Sequence, residues 1–123
     1  MKLLNSFFSV KEQENNAAGA VYKIELDKEH FIYKAHFPDN PITPGVCIIQ
    51  IAQELTGLHI DKQLFLTAVN NIKFVQVISP VENPVVIYDM NISPVTEGVC
   101  KVKVTVKGEN QVFTKLSLTF NVI

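Results

Sequence analysis

Apolar and polar positions alternate strictly in two long stretches near the C-terminus. Cys100, Val102, Val104 and Val106 alternate with Lys101, Lys103 and Thr105 across Val99 to Lys107. Val112, Thr114, Leu116, Leu118, Phe120 and Val122 alternate with Lys115, Ser117, Thr119 and Asn121 across Val112 to Val122. Period two sustained over roughly eight residues predicts antiparallel strands with one face in water. Gly98 and the run Gly108-Glu109-Asn110 supply turn chemistry between strands. Val85 to Ile92 is strongly strand-prone and lies between Pro84 and Pro94, and Ala68 to Val77 is a mixed polar and β-branched strand. Upstream, Tyr22, Ile24 and Leu26 alternate with Lys23 and Glu25 in a half-buried strand. Phe31, Tyr33 and Ala35 alternate with Ile32 and Lys34, which predicts a second, shorter extended piece.

Between these strands lies a helix. Thr43 is the expected N-cap, Pro44 fits the first helical position, and Gly57 is the expected stop signal after Gly45 to Leu58. Its apolar residues Val46, Cys47, Ile48, Ile49, Ile51, Ala52, Leu55 and Leu58 cover most of the circumference. Gln50, Gln53, Glu54 and Gly57 leave a single narrow polar stripe. Such a helix is expected to be buried nearly all round. Strands, one buried helix and then about four antiparallel strands predict an α+β fold, a curved antiparallel sheet wrapped around one long central helix.

Composition narrows the function classes. The 123 residues fit one domain spanning 1–123. A formal net charge of -1 predicts no nucleic-acid footprint. No apolar run approaches the roughly 18 residues that would span a bilayer, so no membrane segment is expected. The stretch Met1 to Val10 is mildly apolar but interrupted by Asn5 and Ser6, a poor secretory signal. The two cysteines, Cys47 and Cys100, read as buried thiols in a reducing compartment, which points to a cytoplasmic protein. No metal-ligand spacing is present, and no metal or cofactor is expected.

The chemistry concentrates in His36-Phe37-Pro38-Asp39-Asn40-Pro41-Ile42-Thr43-Pro44-Gly45-Val46. Three prolines and a glycine fix a rigid loop that opens on a histidine and enters the helix. A rigid loop of this kind suits catalytic scaffolding. His30 and His59 have no supporting motif and read as surface or satisfied histidines; Phe74 reads as core packing. Lys101, Lys103, Lys107 and Lys115 read as solvated residues on wet strand faces.

This string resembles the pattern HFPxxPxxPGV of the hot-dog-fold 3-hydroxyacyl-acyl carrier protein dehydratases. His36, Phe37, Pro38, Pro41, Pro44, Gly45 and Val46 all match it, and the strand order agrees over nearly the whole chain. The resemblance implies a hot-dog fold. It implies His36 as the proton-transferring histidine and the Gly45 backbone N–H as the donor that polarises a thioester carbonyl. Phe37, Pro44, Val46 and Glu54 are implied as substrate-binding residues. It further implies an acyl thioester on acyl carrier protein or coenzyme A as substrate, and a dimer whose sites lie at the subunit boundary.

One departure matters. The family's partner carboxylate sits fourteen residues after the histidine, and here that position is Gln50. A carboxamide donates and accepts hydrogen bonds but cannot exchange protons at neutral pH. Glu54, one turn further along the same face, is the nearby candidate replacement. Ala35 and Asp39 are milder departures. Four functions stay open: a dehydratase in fatty-acid or polyketide-type synthesis; a non-catalytic subunit that supplies His36 to a heterodimer with another hot-dog protein; an acyl thioesterase using Glu54; and an acyl-binding protein.

Overall fold

The computed structural model describes residues 1–36 and 38–123. These residues form six strands and two helices, in the order β1 (Phe8–Asn16), β2 (Gly19–Leu26), α1 (Phe31–Ala35), α2 (Gly45–Ile60), β3 (Leu64–Phe74), β4 (Val85–Ile92), β5 (Val99–Lys107) and β6 (Val112–Val122). The strands make one antiparallel sheet in the order β1-β2-β4-β5-β6-β3, so β1 and β3 are its edges.

Alternation decides which residues face inward. In β2, Tyr22, Ile24 and Leu26 are buried while Lys23 and Glu25 reach toward solvent. Val86, Tyr88 and Met90 of β4, Val102, Val104 and Val106 of β5, and Leu116, Leu118 and Phe120 of β6 continue the inner face. Helix α2 lies against it through Cys47, Ile48, Ile51, Ala52, Leu55 and Thr56. Full burial of one Leu or Ile side chain stabilises by about 1.5 to 3 kcal/mol, so this seam is a main support of the fold. Leu3, Phe7 and Phe8 bring the N-terminal segment into the same core.

Five local expectations are corrected. Phe31–Ala35 is a short helix, not an extended piece: the His30 Nδ1 accepts the Ile32 N–H and caps it. Its buried residue is Tyr33 alone, a pattern that period two and period 3.6 fit equally over five residues. Thr43 does not cap α2. Its hydroxyl is committed to Tyr33, and Pro44 occupies the N-cap with extended backbone and no side-chain bond. Gly57 lies inside the helix, which ends at Asp61 in the left-handed region. The Gly57 carbonyl accepts the Lys62 N–H, and a Cβ at Gly57 would stand 2.9 Å from the Lys62 carbonyl. The glycine therefore serves close packing rather than the turn itself. Nor is α2 buried all round, because the sheet covers only one side; Val46 is 67% exposed and Leu58 48% exposed. Finally, β3 begins at Leu64 and ends at Phe74, with register shifts between Leu66 and Ala68 and between Val69 and Asn71 that blur its periodicity. Val75 and Gln76 leave the sheet, both donating backbone N–H groups to the Phe113 carbonyl.

Both cysteines are free and buried, and burial pushes both thiols above their ordinary range. No described helix is long and apolar enough to cross a membrane.

Candidate active site

Helix α1 ends on His36. Its backbone N–H donates to the Ile32 carbonyl at 3.0 Å, and its extended backbone turns the chain outward. The His36 side chain is exposed, as are Pro38, Asp39 and Asn40 after it. Phe37, expected to bind substrate, lies outside the described residues. The loop returns at Thr43, whose N–H donates to the Ile78 carbonyl at 2.9 Å. Pro44 then sets its carbonyl to accept the Cys47 and Ile48 N–H groups, the first turn of α2.

Gly45 and Val46 are the first helical residues, and amides there have no carbonyl partner within their own helix. The 16-residue α2 adds the favourable end of its dipole to them. A carbonyl oxygen gaining negative charge is the ligand such a position suits. Phe74 presses on this point: a Cβ at Gly45 would stand 2.9 Å from the Phe74 Cζ. Contrary to its reading as core packing, Phe74 is 56% exposed. With Ile42, Thr43, Ile48 and Gln76 the two residues line a groove of about 300 Å³ beside the helix start.

The polar stripe of α2 takes a different job. Glu54 accepts the Leu3 N–H at 2.8 Å and the Leu4 N–H at 2.7 Å, anchoring the N-terminal segment. The Gln50 amide donates to the Glu54 carboxylate at 2.9 Å and to the Met1 carbonyl at 2.7 Å. The Gln53 amide donates to the Leu64 carbonyl at 2.9 Å, holding the start of β3. All three side chains thus satisfy backbone groups of other segments. Among the described residues no hydrogen bond joins His36 to Gln50 or Glu54. His36, Pro44, Gly45 and Val46 belong to one loop and helix start, while Gln50 and Glu54 gather at the N-terminal segment.

Other sequence candidates find structural partners. His30 packs edge-on against Phe7 at 5.1 Å between ring centres and caps α1. Lys107 pairs with Asp89 at 3.2 Å; Lys101, Lys103 and Lys115 are exposed. The sequence reading passed over Tyr33, Thr43 as a bonding partner, and Phe74 as a groove wall. Neither Tyr33 nor Thr43 carries a local signal of this role, because their hydroxyls meet only in the folded chain.

Residues 10–117 match the family model of ApeI-like proteins, described as ApeI dehydratase. A 3-hydroxyacyl-[acyl-carrier-protein] dehydratase FabZ of a Thermoanaerobacter species is 24% identical over 118 residues, covering 90% of this chain and 80% of that protein. The FabZ of Lactobacillus helveticus is 29% identical over 104 residues, covering 79% and 68%. Among solved structures, the dehydratase heterocomplex ApeI:P of Xenorhabdus doucetiae superposes with a TM-score of 0.67 at 16% identity, over 91% of this chain and 96% of that one. A hypothetical thioesterase with coenzyme A from Streptococcus pneumoniae gives a TM-score of 0.64 at 9% identity, over 94% and 85%. These structural likenesses bear out the expected hot-dog fold.

Proposed function

Since this chain belongs to the ApeI-like dehydratase family, we propose that it acts on 3-hydroxyacyl thioesters as one subunit of a heteromeric hot-dog dehydratase, supplying His36 to a site whose carboxylate comes from a different chain. The single observation that carries this is Gln50. It occupies the family's carboxylate position, and its amide is bound to the Met1 carbonyl and to Glu54. Two copies of this chain would bring together histidine and amide twice and a working acid nowhere. Glu54 is a poor substitute, because its carboxylate already holds the Leu3 and Leu4 N–H groups.

The chemistry assigned to this half-site is proton transfer. The His36 imidazole removes the α-proton of the 3-hydroxyacyl thioester. The electron pair of that C–H bond becomes the new C=C bond, and the hydroxyl departs as water after taking a proton from the partner's carboxylic acid. The Gly45 N–H at the start of α2 stabilises the charge that builds on the thioester oxygen. Val46 and Pro44 flank that donor and meet the acyl group. The FabZ relatives are named 3-hydroxyacyl-[acyl-carrier-protein] dehydratases, and the same carrier is assigned to this chain.

The β3 edge supports a shared site. Phe65 and Val69 are exposed along it, and Phe74 stands at its end against Gly45. An unpaired, apolar edge is what folded proteins cover with another strand. A partner seated there would lie beside the helix start.

The test is reconstitution. Purified chain is assayed for hydration of a trans-2-enoyl thioester, alone and co-purified with a carboxylate-bearing hot-dog dehydratase from the same genome. The chain alone is expected to stay near background, the mixture to turn over, and His36→Ala to remove the gain. Full turnover by the chain alone overturns the proposal.

A further inference from the structure

His36 is exposed, so its placement depends on the backbone that carries it. Helix α1 has only five residues, far too few to persist without tertiary support. That support runs through Tyr33, which is 1% exposed and stacks on Phe7 with ring centres 4.8 Å apart. The Tyr33 Oη lies 2.8 Å from the Thr43 Oγ1. Thr43 is 5% exposed and is itself tied to Ile78 through its backbone N–H.

Between Tyr33 and Thr43 the chain runs outward through His36 and the proline-rich turn and comes back. The hydroxyl pair closes the base of that loop. It joins the helix that ends on His36 to the residue two positions before Gly45. Packing alone does not call for these hydroxyls, since a phenylalanine would stack on Phe7 as well. Each buried hydroxyl is the other's partner, and removing one leaves the other unpaired. Burial keeps the Tyr33 phenol well above its ordinary range, so the pair stays neutral at any assay pH near neutrality.

We propose that Tyr33 and Thr43 are positioning residues, whose hydroxyl–hydroxyl bond sets where His36 stands relative to the first amides of α2. This rests on the proposed function of the same site. Displacing a catalytic group by 1 Å costs about 100-fold in rate, and a loop freed at its base permits a shift of that size.

The experiment uses the reconstituted heteromer with Tyr33→Phe, Thr43→Val, Thr43→Ser and the Tyr33→Phe/Thr43→Val double variant. The expected result is a kcat lowered about 10- to 100-fold in the first two, with KM within about twofold. Thr43→Ser keeps the wild-type rate, and the double variant is no worse than either single one. Melting falls by only about 4 °C. An unchanged kcat in Tyr33→Phe overturns the proposal, as does a loss that follows only the fraction of folded heteromer. Hydrogen exchange at the His36 and Thr43 amides, which are bonded to the Ile32 and Ile78 carbonyls, separates this failure from failure of the functional reading. If the wild-type heteromer is inactive, the functional reading falls. The brace then stands on at least about tenfold faster exchange at those amides in Tyr33→Phe, with strand amides unchanged; equal exchange overturns it.

Discussion

Replacing Gln50 by glutamate tests the arrangement on the polar stripe of α2. The Gln50 amide donates to the Met1 carbonyl at 2.7 Å and to the Glu54 carboxylate at 2.9 Å. An ionised carboxylate there has no proton for either acceptor. Two hydrogen bonds worth about 1 kcal/mol each are lost, and two negative charges about 4 Å apart repel by at most about 4 kcal/mol near a protein surface. Protonating the new carboxyl relieves most of this and restores one donor, so its pKa in the folded protein is raised above the unfolded value. A raised pKa gives stability that is present at low pH and lost as pH rises through the folded value. The Gln50→Glu variant is therefore expected to melt about 10 °C below wild type at pH 8 and by much less at pH 5. Adding Glu54→Gln removes the repulsion and with it most of the pH dependence. Calorimetric melting at the two pH values reads this directly. A variant that matches wild type at both would refute the Gln50–Glu54–Met1 contact. The protonated form is also a competent general acid. Hydration of an enoyl thioester by the Gln50→Glu homomer is expected to rise by up to about 10² to 10⁴, and His36→Ala to abolish the rise.

Other predictions follow from single contacts. Glu54→Ala releases the Leu3 and Leu4 amides; it is expected to cost about 1.5 to 3 kcal/mol in chemical denaturation and to speed exchange in the N-terminal segment. The Thr114 Oγ1 is the buried side-chain oxygen without a partner among the described residues, so Thr114→Val should stabilise by about 1 kcal/mol in the same measurement. Burial raises the Cys47, Cys100, Tyr22, Tyr33 and Tyr88 groups. The unfolded chain then loses these protons first, and melting temperature should hold through pH 8 and fall as pH rises above about 9. Phe65→Lys with Val69→Lys on the β3 edge should shift the chain toward smaller species in light scattering without lowering its helix content.

Much of the fold was legible because strict alternation is hard to misread. Val85–Ile92, Val99–Lys107 and Val112–Val122 have the bounds that their patterns predict. The start of α2 was marked by Pro44 and Gly45. Strand β1 was not legible, since it is an exposed edge reading FSVKEQENN with its inward pattern confined to its first residues. Two register shifts inside β3 broke its alternation, and five residues were too few to tell α1 from a strand. At the site, the loop and its histidine stood out as a motif. The bonds of Gln50 and Glu54 to Met1, Leu3 and Leu4 did not, because they link positions about fifty residues apart and leave no local pattern. Tyr33 and Thr43 were hidden for a similar reason: each fits a bland local role, and only the fold brings their hydroxyls together.

The central claim is that this chain lends its histidine to another chain's carboxylate. A heteromer of two hot-dog subunits would have two composite sites, and they would not be equivalent. One pairs His36 with the partner's carboxylate; the other pairs the partner's histidine with Gln50. Turnover of a trans-2-enoyl thioester is therefore measured in heteromers lacking one histidine at a time. Removing His36 is expected to lower the rate by about 10² to 10⁴, while removing the partner's histidine leaves the rate within about twofold of wild type. The reverse pattern, with His36 dispensable and the partner's histidine essential, would contradict the account.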